Sequence, residues 1–177
     1  MPITLHEIAI DTFVHMLGDL AHVLDKGAKH AQARNFPADD LAAFRLAPDM
    51  LPLSAQVYLA CFHAKDGPAR VLGHEAAMPE RGLRETYEQI RARITATLDH
   101  LRGLPKAEID AGEQRKVTIT VNPERVFELT GVQLIRDWTL PHFYFHVVTA
   151  YDLLRAAGVE IGKRDYVPHV AAYLRKP

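Results

Sequence analysis

Cysteine is nearly missing from this sequence. Cys61 stands alone among 177 residues, which excludes an internal disulfide and with it a small secreted scaffold held by cross-links. A lone cysteine fits a reducing compartment, so the expected location is cytoplasmic. Long apolar runs are missing too. No stretch approaches the roughly 20 residues that a membrane-spanning helix needs. Met1 to Leu5 lacks the basic stretch and apolar core of a secretory signal. Charge of one sign is likewise not in excess: 21 Lys and Arg face 22 Asp and Glu, for a formal net charge of −1. That balance offers no electrostatic case for nucleic acid or a membrane surface as partner. Arg91, Arg93 and Arg102 alternate with acids and read as a solvated helix face. With no internal repeat, low-complexity tract or long linker, residues 1–177 are expected to form one domain. A chain of this length buries roughly two thirds of its unfolded surface and needs no staples. What is plentiful is histidine, ten residues in all, and the argument turns on where they point.

Periodicity predicts an all-α bundle of four helices. From about His6 to Ala33, the residues Ala9, Phe13, Met16, Leu20, Val23 and Gly27 keep to one helix face, with Asp11, His15, His22 and Asp25 opposite. The connection from Arg34 to Leu51, punctuated by Pro37 and Pro48, is too long for a turn between neighbours and is expected to cross the bundle. A second helix runs from about Leu53 to Leu72 with Val57, Ala60, Cys61 and Ala64 on its stripe, and Pro68 is expected to kink or weaken its end. The third, Leu83 to Arg102, has a narrow seam of Leu83, Tyr87, Ile90, Ile94, Leu98 and Leu101, and Gly103 is its stop.

The period then changes. Val117, Ile119 and Val121 alternate with Thr118 and Thr120, Asn122-Pro123-Glu124 turns the chain, and Val126 to Leu129 returns as a partner strand. A small β-hairpin is therefore expected between the third and fourth helices. Thr130-Gly131-Val132-Gln133 reads as a capping box opening the fourth helix, which extends to about Ala157 with Gly158 as its stop. The tail from Val159 to Pro177 is expected to lie across the surface.

On the fourth helix the interior stripe is Ile135, Thr139, His142, His146, Ala150 and Leu153. His142 and His146 sit in its middle, and residues four apart bring their Cβ atoms to about 5–6 Å, close enough for two imidazoles to share one ion. Phe143, Tyr144 and Phe145 are expected to wall the site, with Pro141 able to shift the helical phase. Two adjacent buried imidazoles are hard to satisfy otherwise, because each has two ring nitrogens to partner. A metal, a wet polar cavity or a tyrosine network would each serve. His63, on the second helix in line with Gln56 and Gly67, is the best third ligand. His15 and His22 point away from the core face, while His30, His74, His100 and His169 fall near helix ends or in connections. Three histidines with a fourth position open form the pattern of a catalytic metal site rather than a structural one. Tyr144, Trp138 and Tyr58 are the candidate pocket-lining residues.

The remaining chemistry is thin. Gly158 to Lys163 has too few intervening residues for a phosphate-binding loop and follows a helix rather than a strand. Lys163, Arg164 and Asp165 are expected to anchor the tail by ion pairs. Cys61, on an apolar stripe, is expected to be a buried and inert thiol.

A second-helix histidine, His63 in Cys61-Phe62-His63-Ala64, followed by the pair in Pro141-His142-Phe143-Tyr144-Phe145-His146, resembles the DinB/YfiT-like superfamily of metalloenzymes. The stretches Arg45-Leu46-Ala47-Pro48-Asp49-Met50, Phe143-Tyr144-Phe145-His146 and Gly162-Lys163-Arg164-Asp165-Tyr166 are similar to those of a narrower bacterial family of uncharacterised function within it. The resemblance spans nearly the whole chain. It implies a four-helix bundle with two long crossovers, and a homodimer. It also implies one divalent metal, nickel or zinc, held by His63, His142 and His146 and acting with a small-molecule thiol or water. Members of the narrower family often carry other residues at the positions of His63 and His142. Two functions thus stand side by side: a metal-dependent enzyme, and a metal-free bundle that binds a small ligand or serves as a dimeric interaction module without catalysis.

Overall fold

Apolar residues at three- and four-residue spacing fold the chain into four long helices. In the computed structural model, which describes residues 2–74 and 84–175, these are α1 (Thr12–Arg34), α3 (Leu53–Val71), α4 (Tyr87–Arg102) and α7 (Leu140–Ala156). Each packs on two others, in the cyclic order α1–α4–α3–α7. Consecutive helices α1 and α3 are therefore diagonal, as are α4 and α7, and the two connections that join them are the two long crossovers. The result is an all-α four-helix bundle with a small hairpin. Its core is one apolar cluster in which Phe13 of α1 meets Phe143 of α7 edge-on, 4.8 Å between ring centres. Among the described residues no helix is long and apolar enough to cross a membrane.

The first crossover leaves α1 through Asn35, whose φ of 58° is the left-handed conformation that asparagine tolerates at a helix end. It forms a short helix, α2 (Ala38–Ala43), which buries Leu41 and Ala42. Its Asp39 carboxylate accepts the Tyr87 backbone N–H at 2.7 Å and so covers the open end of α4. The start of α4 departs from the periodicity. Thr86 and Gln89 make a reciprocal capping box, and Thr86 is extended with ψ 164°, so the helix begins at Tyr87. Leu83, the expected first seam residue, lies outside the described residues, as does the end of the tail at Pro177. Pro68 does not stop α3: it sits in the last turn, and Leu72 N–H still reaches its carbonyl at 3.0 Å.

The second crossover opens with a short helix that periodicity did not reveal, α5 (Lys106–Ala111). Strands β1 (Lys116–Asn122) and β2 (Arg125–Thr130) then pair antiparallel, with Val117 opposite Leu129 and Ile119 opposite Phe127. Directly opposed residues share a face, so these four form the inner side of the hairpin. Val121 was expected to join them. An irregularity between Thr120 and Asn122 breaks the alternation there and leaves Val121 52% exposed. After α7 the chain turns at Gly158, with φ +91°, and the tail forms α8 (Lys163–Tyr166) and a 3-10 segment (Pro168–Tyr173) that lie on α1.

Candidate functional site

The approach to α7 is a capped and locally widened helix. Thr130 and Gln133 form the expected capping box, which opens one turn, α6 (Gly131–Gln133). A π-helical segment, Leu134–Thr139, follows before the α-geometry resumes. Pro141 supplies the reason for the slip. It has no N–H to give to an i−4 carbonyl, and just before it Leu140 N–H reaches back five residues to Ile135. The inner stripe survives: Ile135, Thr139, His146, Ala150 and Leu153 are buried, with His142 half-buried. Across from it, α3 presents Gln56, His63 and Gly67, spaced so that all three lie on one side. Gly67 permits the two helices to close, since a Cβ there would lie 2.6 Å from the Thr139 side chain.

This approach brings the three predicted histidines together. The His63 ring centre is 5.0 Å from that of His142 and 5.5 Å from that of His146, the latter pair being nearly parallel at 8°. His146 Nδ1 lies 2.7 Å from Gln56 Oε1, and His142 Nδ1 lies 2.6 Å from the Trp138 carbonyl. The proton positions follow from the partners. A carbonyl only accepts, so Nδ1 of His142 is the donor. Gln56 donates through Nε2 to the Leu51 carbonyl at 3.3 Å, which turns its Oε1 toward His146 and makes Nδ1 of that ring a donor too. In both rings the Nε2 lone pair is left for another purpose, the arrangement that outer hydrogen bonds impose on imidazole ligands. Burial, reinforced by the neighbouring histidines, pushes His63 down to about 3 and His146 down to about 4. Both are neutral at pH 7. As the side chains stand the rings stack rather than converge, and among the described residues no three His, Cys, Asp or Glu are arranged to hold a metal ion.

The expected aromatic walls are redistributed. Trp138 does flank the site, its ring 4.7 Å from His142. Phe143 points into the core against Phe13. Tyr144 is two residues from both histidines and so falls on the opposite side of α7, where its ring meets Phe143. Tyr58 is two residues from Gln56 and is likewise turned away, its ring under the Arg93 guanidinium of α4 at 4.8 Å. Phe145 keeps a contact with His146 at 5.3 Å but is 59% exposed. Cys61 is buried as expected, its thiol pushed up to about 11 chiefly by burial.

Other groups escaped the sequence reading. Phe127 of β2 lies against Trp138, the ring centres 5.3 Å apart and the planes tilted by 52°; nothing in a six-residue strand signals which residue reaches a helix. His169 is not simply exposed. Its Nδ1 meets the buried Asp19 carboxylate of α1 at 2.5 Å, and its ring stacks on His15 at 5.0 Å. Asp165 anchors the tail as expected, through Lys26 at 2.6 Å and His22 at 3.5 Å. Gln56 had been aligned with His63 by spacing, and that alignment was the available signal for its role.

Comparison with known proteins bears on this geometry. A family model described as "Domain of unknown function (DUF1993)" matches residues 5–167. Among solved structures, a DinB family member protein from Shewanella denitrificans is 32% identical to the chain, with a TM-score of 0.82 over 92% of this chain and 91% of that one. No match was found among the curated proteins.

Proposed function

The chain belongs to the DUF1993 family, a DinB-like family of unknown function, and from that premise we propose that it is a divalent-metal-dependent enzyme. His63, His142 and His146 would hold one nickel or zinc ion, with a small-molecule thiol or water as the reacting partner. The observation that carries the reading is the meeting of three imidazoles from two helices, two of them oriented through Nδ1 by Gln56 and by the Trp138 carbonyl.

The donor set suits such an ion: three nitrogens, no thiolate, and room in the count for an open fourth position. His63 and His146, neutral at pH 7, also have no proton to lose before ligating. A bound ion would supply Lewis acidity, lowering the pKa of a thiol or water at its open position. The chain's own residues do the rest. The Leu51 carbonyl holds Gln56, Gln56 holds His146, and Gly67 keeps α3 close enough for His63 to reach the pair. A homodimer belongs to the same reading, supported by apolar Phe145 and Val148 exposed along α7. So does a cytoplasmic location, which suits the lone free thiol.

A second reading, a metal-free bundle binding a small ligand or acting as an interaction module, is favoured by the near-parallel stacking of His63 and His146. Metal content by inductively coupled plasma mass spectrometry separates the two. Near-stoichiometric nickel or zinc that vanishes in the His142→Ala, His146→Ala double variant supports the enzyme. Metal-free protein that ignores added nickel and zinc sinks it.

A further inference from the structure

A second titratable cluster lies outside the histidine trio, on α1. His15, Asp19, His22 and Lys26 recur at spacings of four, three and four, so they line one side of that helix. The tail meets this line with matching partners. His169 Nδ1 lies 2.5 Å from the Asp19 carboxylate, and its ring stacks on His15 with the planes 3° apart. Asp165 sits between Lys26 at 2.6 Å and His22 at 3.5 Å. Toward α7 the tail offers Tyr166, whose ring meets Tyr151 at 5.7 Å and which lies within electrostatic reach of Asp19, Tyr144 and Asp152. Burial pushes the Tyr166 and Tyr144 phenols up, so both stay protonated at neutral pH. Neither α8 nor the 3-10 segment contains a fully buried residue. Apolar burial therefore contributes little, and the polar contacts decide whether the tail stays down.

Asp19 gives that decision a sign. Its carboxylate is buried and faces His169. A buried carboxylate needs a partner, and an imidazolium answers it better than a neutral imidazole. The stacked His15, its ring centre 5.0 Å away, disfavours a second positive charge beside the first, so one proton serves the pair.

We propose that the tail is a pH-sensitive strap: charged His169 and His22 clamp it to Asp19 and across Asp165, and it lifts off α1 and Tyr151 as they lose their protons. Docking takes up protons. Its stabilisation is present in full at the acid end of the range where histidine titrates, and is lost as pH rises through that range. Lys26 stays charged throughout and holds Asp165 at both ends, which makes His169 the switch and His22 a lesser contributor. The bundle has the opposite sign, because burial makes His63 and His146 resist protonation. In acid the core loosens while the strap tightens.

Amide hydrogen exchange on the full chain reads the strap directly. A helix as short as α8 does not persist once lifted, so opening exposes the amides of residues 163–173. With intrinsic rates divided out, protection there should be about tenfold lower at about pH 8 than at about pH 5.5, the scale that separates a charge-assisted hydrogen bond from a neutral one. Protection in α4 should be equal or higher at the upper pH. His169→Gln, which keeps a donor and cannot titrate, should flatten the dependence in the tail, and His22→Gln should keep most of it. Equal protection of the parent tail at both pH values, or a dependence that survives His169→Gln, overturns the strap. So does a fall in α4 that matches the tail, which would assign the effect to the whole fold.

Discussion

His63, His142 and His146 lie between α3 and α7, while His15, His22 and His169 lie between α1 and the tail. The partners of the first group are a glutamine, a backbone carbonyl and one another. In the second group His169 and His22 each face a carboxylate, Asp19 and Asp165. The side chain is the same, and its surroundings assign the work. Burial without an acid keeps His63 and His146 neutral, with ring-nitrogen lone pairs to offer. An acid beside a histidine instead makes a strap, and the second group holds α8 and the 3-10 segment on α1.

The comparison breaks most visibly in acid. His63 and His146 titrate in the folded chain at about 3 and about 4, below their ordinary 6.5. Between those values and 6.5 the unfolded chain binds protons that the folded chain refuses. Stability of the metal-free protein is therefore intact above pH 6.5 and declines as pH falls toward 4, by up to about 1.4 kcal/mol per pH unit for each histidine. Urea melts across pH 7 to 4.5 check this, and His63→Gln should flatten the slope. A parent protein equally stable at both ends would remove the distinction between the two groups.

A smaller effect is expected at the tail. Asp19→Asn keeps the shape of the buried acceptor and removes its charge, so the bond to His169 should weaken by about 1 kcal/mol. Hydrogen exchange should then quicken in residues 163–173 and stay unchanged across α3 and α7. Protection lost equally in the bundle would mean that the strap is part of the core. The smallest effect belongs to Lys26→Ala. Its bond to Asp165, together with the Gly162 N–H, holds that carboxylate below the usual range. The pair is partly exposed and contributes about 0.5 kcal/mol or less. A shift larger than 1 °C to 2 °C or so in Tm, on the scale that such an energy gives a chain of this size, would show that the tail matters more than its contacts suggest.

Much of this was legible in the residues. The seam of Ile90, Ile94, Leu98 and Leu101, the alternation of Val117 and Ile119, and the Thr130–Gln133 cap are local patterns, and local patterns survive folding because backbone geometry fixes their period. The pairing of His142 with His146 belongs to that class, and so does the alignment of Gln56 with His63 along α3. Where a second local rule competed, periodicity alone misled. Thr86 capped α4 after Leu83, and the hairpin irregularity turned Val121 outward. Tyr58 and Tyr144 turn away from the histidines for a simpler reason: each lies two residues from one that faces them, Gln56 or His142 and His146, which on a helix is the far side.

The sequence by itself determined which residues share a helix face, where most helices begin and end, and that three histidines stand at core-facing or core-flanking positions. Only the tertiary structure decided which faces meet. Gly67 lets α3 approach α7 until three imidazoles stack, the hairpin delivers Phe127 to Trp138, and the tail returns His169 to a carboxylate 150 residues earlier. Those contacts join residues far apart along the chain, and no local period encodes them. They arise from the closure of the bundle, which buries the core and fixes what comes to lie beside it.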